Sequence, residues 1–185
     1  VALTAGQDWE PYALEVLASV LDGGDSARLS SQLVRGTAVA ASAGASYDAF
    51  DRQETLFLLS GIPSNGHSVS ELREALLAQI RQIQEKPVST EELERVKAQI
   101  RADKVYEQDS IFYQAMQIGM LETVGLSWKD AGQYLSRIEA VTAAQEQEVA
   151  GKYLVDDRLT VAELSPQPID PKHPPREGGD SGHVH

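Results

Sequence analysis

The sequence contains no cysteine at any of its 185 positions. This absence excludes disulfide bonds, Cys-ligated zinc and thiol catalysis, although it says nothing about the redox compartment. There is also no uninterrupted apolar run approaching the roughly 20 residues that a helix needs to cross a bilayer, so we expect no membrane partner. The opening residues VALTAG lack an initiator Met and the basic and apolar segments of a signal peptide. We therefore expect a fragment of a longer chain.

Basic residues are scarce compared with acidic ones. The sequence has 16 Lys and Arg residues but 28 Asp and Glu residues, which gives a formal net charge of −12 and a sequence pI near 4.7. Proteins bind nucleic acids largely through Lys and Arg that neutralise phosphates. We therefore expect no nucleic-acid partner. The length fits a single domain that buries most of its apolar surface in one core.

The stretch LDGGDSARLSSQLVRG, residues 21–36, most resembles a functional motif. Apolar spacing before it predicts a helix over residues 9–21. Gly23 and Gly24 are expected to end that helix, and Asp25 and Ser26 to cap a second one. A phosphate-binding loop would need a preceding strand and a Lys, and a nucleophile elbow would need a second glycine after Ser26. The pattern therefore indicates a turn between two helices.

The rest of the chain predicts a hairpin followed by helices. Residues 39–50 and 54–62 read as antiparallel strands joined by a polar turn. Capping boxes at Ser68 and Ser89, together with helical apolar spacing, predict five helices up to Tyr153. The run RLTVAEL, residues 158–164, predicts a short closing strand, and the Pro-, Gly- and His-rich residues 165–185 predict a disordered tail.

This order of elements predicts a fold class. Two helices, two strands, five helices and a final strand indicate a two-layer α+β domain over residues 1–164. Its antiparallel or mixed sheet would be covered by several helices.

Metal-binding patterns are absent from the sequence. No His-Glu-x-x-His motif or similar spacing of ligands occurs. His67 lies in a predicted turn, and the other histidines, His173, His183 and His185, lie in the predicted tail. We therefore expect no metal or other cofactor in this segment.

Five co-linear segments carry a family resemblance: ALEVLASVLDGGDSARLSSQLV, AASAGASYDAFDRQETLFLLSG, PVSTEELERVKAQIRADKVYEQDS, LETVGLSWKDAGQYLSRIEAVTAAQ and KYLVDDRLTVAEL. Together they resemble the second domain of the insulinase/pitrilysin (M16) zinc metallopeptidases, of the bacterial, mitochondrial-processing-peptidase-like type. The resemblance covers residues 8–164. Because bacterial relatives are often exported, it favours a periplasmic location.

The resemblance implies a division of labour between two halves. In this family the first half carries an inverted zinc motif, His-x-x-Glu-His, whose Glu is the general base on a zinc-bound water. The present sequence lacks that motif. The resemblance therefore implies a non-catalytic half that closes over a zinc-bearing half, in the same chain or in a partner subunit. It also implies that this half helps to hold an extended peptide substrate, by strand addition at a sheet edge.

One substrate-binding residue is implied by the same resemblance. Active members place an Arg and a Tyr after the helix that contains the RL…L pattern, and Arg35 lies close to the expected Arg. The position expected for the Tyr is Ala41, and Tyr47 does not match it. Arg35 is therefore the candidate substrate-binding residue, with a helix-end Arg near the last carbonyls as the alternative. For the domain as a whole, the alternative is a catalytically silent structural or assembly module of the same fold.

Overall fold

The computed structural model describes residues 9–50 and 55–165. Helix α1 (Glu10–Asp22) is followed by a π-helix (Leu29–Val34) and by strands β1 (Ala40–Ser46) and β2 (Leu58–Pro63). The remaining helices are α2 (Val69–Glu85), α3 (Thr90–Gln108), α4 (Ile111–Val124), α5 (Tyr134–Ala140) and α6 (Ala143–Tyr153). Short 3₁₀ turns span Trp128–Gln133 and Asp156–Arg158.

Local sequence explains where the helices begin and end. The capping box predicted at Ser68 forms, since its hydroxyl accepts the Glu71 N–H at 3.2 Å and Glu71 Oε2 accepts the Ser68 N–H at 2.7 Å. Thr142 caps α6 in the same way, with Gln145 in the role of the acid. Gly125 ends α4 in the left-handed conformation, with φ of 86°.

The core is built around α1. Its residues Val16, Leu17, Val20 and Leu21 are fully buried. One flank of α1 packs against β1 and the other against α6, while α2 packs against β2 and α6. The helices therefore cover one face of the hairpin and enclose the apolar core between themselves and the strands.

The two strands form an antiparallel sheet, which agrees with the predicted α+β class. Its inner face is tight against α2, because a Cβ added to Gly61 would lie 3.0 Å from Leu72 Cδ2. Its outer face carries apolar side chains in solvent: Leu58 is 52% exposed and Ile62 is 63% exposed.

Two local predictions were wrong, and the predicted second helix forms with a different hydrogen-bond pattern. Residues 159–165 contain no strand, because nothing in the described chain pairs with their backbone. Asp25 and Ser26 lie in a turn closed by the Ala27 N–H to the Gly24 carbonyl, so they cap no helix. The second helix is a π-helix, with bonds such as the Arg35 N–H to the Ser30 carbonyl at 3.1 Å.

Two further expectations concern residues outside the described part of the chain. The predicted disordered tail falls almost wholly on residues 166–185, and the polar turn of the hairpin falls partly on residues 51–54. Among the described helices, none has both the length and the apolarity needed to cross a membrane.

Candidate functional site: an open edge of the sheet

The two edges of the hairpin differ. On the β1 side, Asp22 at the end of α1 accepts the Ala45 N–H through Oδ2 at 3.1 Å. The same carboxylate lies close to Gly44, where an added Cβ would be 3.1 Å from Oδ2. Asp22 therefore occupies the outer edge of β1 and satisfies one of its unpaired backbone donors.

This contact also fixes which backbone groups of β2 face outward. Because the Ala45 N–H points to Asp22, Ala45 and its cross-strand partner Leu59 form a non-hydrogen-bonded pair. Leu59 therefore directs its own N–H and C=O away from β1, as does Gly61 opposite Ala43. The backbone nitrogen of Pro63 also points away from β1. Proline has no N–H, so at this position it removes no hydrogen bond between the two strands.

A groove of about 460 Å³ lies beside this open edge. Its apolar lining includes side chains of α1 and α2, namely Leu14, Leu77 and Ile80. One wall is the start of β2 with residues 55–57 before it, and the opposite wall is formed by residues 153–160. The groove is therefore largely apolar, and along one side it is bordered by backbone groups of β2 that pair with no other strand in residues 9–50 and 55–165.

A polar network stands at the end of the groove nearest Tyr153. The Tyr153 hydroxyl donates to Glu10 Oε2 at 2.7 Å, and Lys152 pairs with Glu10 Oε1. Burial opposes ionisation of Glu10, but the hydrogen bonds from Lys152 and Tyr153 outweigh it and lower the pKa of Glu10. The pKa of Tyr153 is raised, through burial and then through its bond to Glu10. Glu10 is thus held as a carboxylate that fixes the last helix against α1.

The structure places the sequence-predicted Arg35 away from this groove. Arg35 is exposed and follows the π-helix, which packs against β1, whereas the groove lies beyond β2. Its guanidinium donates to the Asp25 carbonyl and, at 3.5 Å, to the Ser30 hydroxyl. These bonds tie the side chain to Ser30 of the π-helix and to the turn that precedes this helix.

Two acids with buried carboxyl oxygens were not anticipated from the sequence. Glu15 lies on α1, accepts the Tyr134 hydroxyl through Oε1, and has no partner for Oε2 among the described residues. Burial raises the pKa of Glu15 to about 7, against the lowering effect of Tyr134. Glu146 on α6 is fully buried, and burial raises its pKa to about 8. The sequence did contain one indication that these acids would be buried. Each Glu lies directly beside the apolar residues of its helix.

No metal centre is formed by the described residues, since no group of three or more His, Asp or Glu side chains converges there. His67 lies in the turn before α2, where its Nδ1 is 3.8 Å from Glu71 Oε1. His173, His183 and His185 lie outside the described residues.

Helix α4 presents a second unusual surface. Ile111 is 85% exposed and Phe112 is 73% exposed, and Met116 and Met120 on the same helix are also exposed. Leu121 is the α4 residue that is buried. A helix this apolar is normally covered on most sides, and the rest of the described chain covers little of α4.

Comparison with known proteins gives the fold a family context. The model of the family described as "Peptidase M16 inactive domain" matches residues 3–100, just over half of the 185 residues. A search of curated proteins found no match.

Solved structures share the fold. A protease from Helicobacter pylori superposes with a TM-score of 0.75 and 19% identity, covering 84% of this chain and 37% of that one. The inactive peptidase domain of a candidate zinc protease from Bordetella parapertussis has a TM-score of 0.73 and 21% identity, covering 89% of both chains. A conserved protein from Enterococcus faecalis V583 has a TM-score of 0.64 and 21% identity, covering 78% of this chain and 33% of that one. The chain thus spans little more than a third of the first of these proteins.

Proposed function

This chain belongs to the family of peptidase M16 inactive domains, and from that membership we propose that it is the non-catalytic half of a zinc metallopeptidase. In this proposal a zinc-bearing half, called the companion half below, lies in the same polypeptide or in a partner subunit. The observation that carries the proposal is the family match to an inactive domain. The described residues do not offer the ligand set that a catalytic zinc requires, so no step of hydrolysis is assigned to them.

The contribution of this half is to enclose the peptide. The outer face of the hairpin supports this role, because Leu58 and Ile62 stand in solvent on it, and Ser42 and Ser46 of β1 are exposed beside them. An extended peptide laid over such a face buries apolar side chains at alternate positions. Arg35, exposed at the β1 side, supplies a guanidinium for peptide carbonyls once it releases the Asp25 carbonyl.

Helix α4 supports a docking surface for the companion half. Exposed apolar surface on this scale marks a protein contact more often than a free surface. The Helicobacter and Enterococcus chains are much longer than this one. A neighbouring domain of such a longer protein would pack against the exposed apolar side chains of α4.

Zinc analysis and peptide hydrolysis test the proposal. Both are measured on this chain alone, on the companion half alone and on the two together. We expect this chain to bind no stoichiometric zinc and cleave nothing, and the combination to cleave peptides faster than the companion half alone. A complex that forms with zinc bound but stays inactive would contradict the proposal and support the structural-module alternative.

A further inference from the structure

A hydrogen bond between two side chains joins the first helix to the fifth. The Tyr134 hydroxyl, at the start of α5, donates to Glu15 Oε1 on α1. The other carboxyl oxygen of Glu15, Oε2, is buried and has no hydrogen-bond partner in the described part of the chain. Burial therefore favours the protonated form of Glu15, and this effect outweighs the opposite effect of the bond from Tyr134.

The charged groups around this contact do not favour a second negative charge. Lys104 on α3 lies with its Nζ 5.1 Å from the centroid of the Tyr134 ring, but it already pairs with Glu107 at 2.8 Å. An ionised Glu15 would share this one ammonium group with Glu107 and Asp48, both of which oppose its charge. The ionisable groups that act on Glu15, or on Tyr47 and Tyr134 beside it, are Lys104 and Glu107 on α3, Asp48 after β1, Tyr12 and Glu10 on α1, and Tyr153 on α6.

Aromatic side chains pack around the Tyr134 ring. The centroid of the Phe50 ring lies 5.6 Å from that of Tyr134, and the centroid of the Tyr12 ring lies 6.2 Å from it. Tyr134 itself is only 5% exposed. Withdrawal of Tyr134 from Glu15 therefore separates these rings and admits water to the carboxyl group, so the hydrogen bond and the aromatic packing open together.

This contact holds the end of a segment that is otherwise loosely attached to the core. Helix α4 packs mainly against α3 and the Trp128–Gln133 turn, and that turn leads directly into Tyr134. The far end of α5 is fixed separately, because Ile138 is fully buried and Lys97 Nζ donates to the Glu139 carbonyl at 2.9 Å. Residues 109–134, called the outer arm below, are therefore tied to α1 at Tyr134.

We propose that the contact between Glu15 and Tyr134 is a pH-dependent latch that holds the outer arm against α1. While Glu15 is protonated, the latch is closed. Ionisation places a charge among acids and aromatic rings, and opening of the latch releases that charge to water. The latch is a property of this chain alone, so it needs no companion half. Because α4 belongs to the outer arm, the latch makes the position of the exposed α4 surface dependent on pH.

Proton linkage gives the direction and the size of the effect. The pKa of Glu15 is about 7 when the latch is closed and returns to 4.5 when the side chain is exposed to water. Between these values the closed latch keeps a proton that the open latch releases, so the equilibrium constant for opening rises tenfold per pH unit. It is lowest below pH 4.5 and levels off above pH 7, and the whole change is about 300-fold.

Amide hydrogen exchange of the unmodified chain at pH 4.5 and pH 8 tests the proposal. The reporters are the amides of Leu121 on α4 and Leu17 on α1, each corrected for the intrinsic pH dependence of exchange. Detached from the core, a helix of 14 residues is marginal in water, so opening of the latch exposes the Leu121 amide. We expect the opening constant at Leu121 to rise by about 300-fold, and Leu17 to remain far better protected at both pH values. Equal protection of the two amides would show that the outer arm has no opening of its own and would overturn the inference.

A pair of variants assigns the effect to Glu15. Glu15→Gln carries no charge at either pH, so we expect the opening constant at Leu121 to be the same at pH 4.5 and pH 8. Glu148→Gln is the control, because Glu148 is exposed on α6, and it should keep the 300-fold rise. A rise that persists in Glu15→Gln would contradict the latch. If Glu15→Gln does not fold, carbon-13 NMR titration of the Glu15 carboxyl in the unmodified chain replaces it; a midpoint near 7 is expected, and a midpoint at 5 or below would overturn the inference.

Discussion

The unmodified protein should lose stability as the pH becomes alkaline, and the variant Glu146→Gln should lose much less. Glu146 is fully buried on α6, and neither carboxyl oxygen has a hydrogen-bond partner among the described residues. Burial raises its pKa to about 8, and the nearby Glu92 adds to this effect, while Arg28 and Lys97 oppose it. The folded chain therefore holds Glu146 in its protonated form at neutral pH.

The sign and size of the effect follow from proton linkage. Between pH 4.5 and about 8 the folded chain keeps a proton that the unfolded chain releases, so raising the pH favours unfolding. The stabilisation is complete below pH 4.5 and is lost as the pH rises through 8. Each pKa unit corresponds to about 1.4 kcal/mol, so the interval from 4.5 to about 8 amounts to about 5 kcal/mol in total.

Urea unfolding at pH 5 and pH 9 measures this difference. We expect Glu146→Gln to be within about 1 kcal/mol of the unmodified chain at pH 5 and more stable by roughly 3–5 kcal/mol at pH 9, because Gln carries no charge to bury. Glu148→Gln on the same helix is the control, since Glu148 is exposed. If Glu146→Gln loses as much stability between pH 5 and pH 9 as the unmodified chain, the linkage argument fails.

Three other substitutions have defined outcomes. Ser68→Ala should lower the free energy of unfolding by about 1 kcal/mol through loss of the cap on α2, whereas Ser70→Ala, inside the helix, should change it little in thermal melts. Gly125→Ala should cost about 1 kcal/mol in urea unfolding, because φ is 86° there; no loss would argue against the left-handed cap. In the active assembly, Arg35→Gln should raise KM for peptides several-fold with kcat little changed, while the exposed Arg81→Gln should not. An unchanged KM for Arg35→Gln would remove Arg35 from substrate binding.

The helical part of the fold was predictable because its signals are local. The Ser68 capping box, the glycine stop at Gly125 and the apolar stripe of α1 each lie within a few residues of the feature that they specify. The hairpin was predictable for the same reason, since β-rich runs flank a polar turn.

The sites depended on contacts that sequence spacing does not encode. The outward direction of the Leu59 and Gly61 backbone groups follows from one bond between Asp22 and Ala45, which are 23 residues apart. Residues 159–164 have the pattern of a strand, but a strand also requires a neighbour, and none is present among the described residues. Burial of Glu146 likewise depends on packing between helices, which its position next to the apolar stripe of α6 suggests but does not determine.

The carboxylate of Asp22 has a consequence for how this protein avoids forming fibres. An open hairpin with two free edges can add strands from other molecules without limit. Here Asp22 occupies one edge, and beyond the other edge stand residues 159–164, with Glu163 in an ion pair with Arg73. The carboxylate therefore obstructs strand addition at the β1 edge, so an apolar hairpin can remain in solvent without extending from that side.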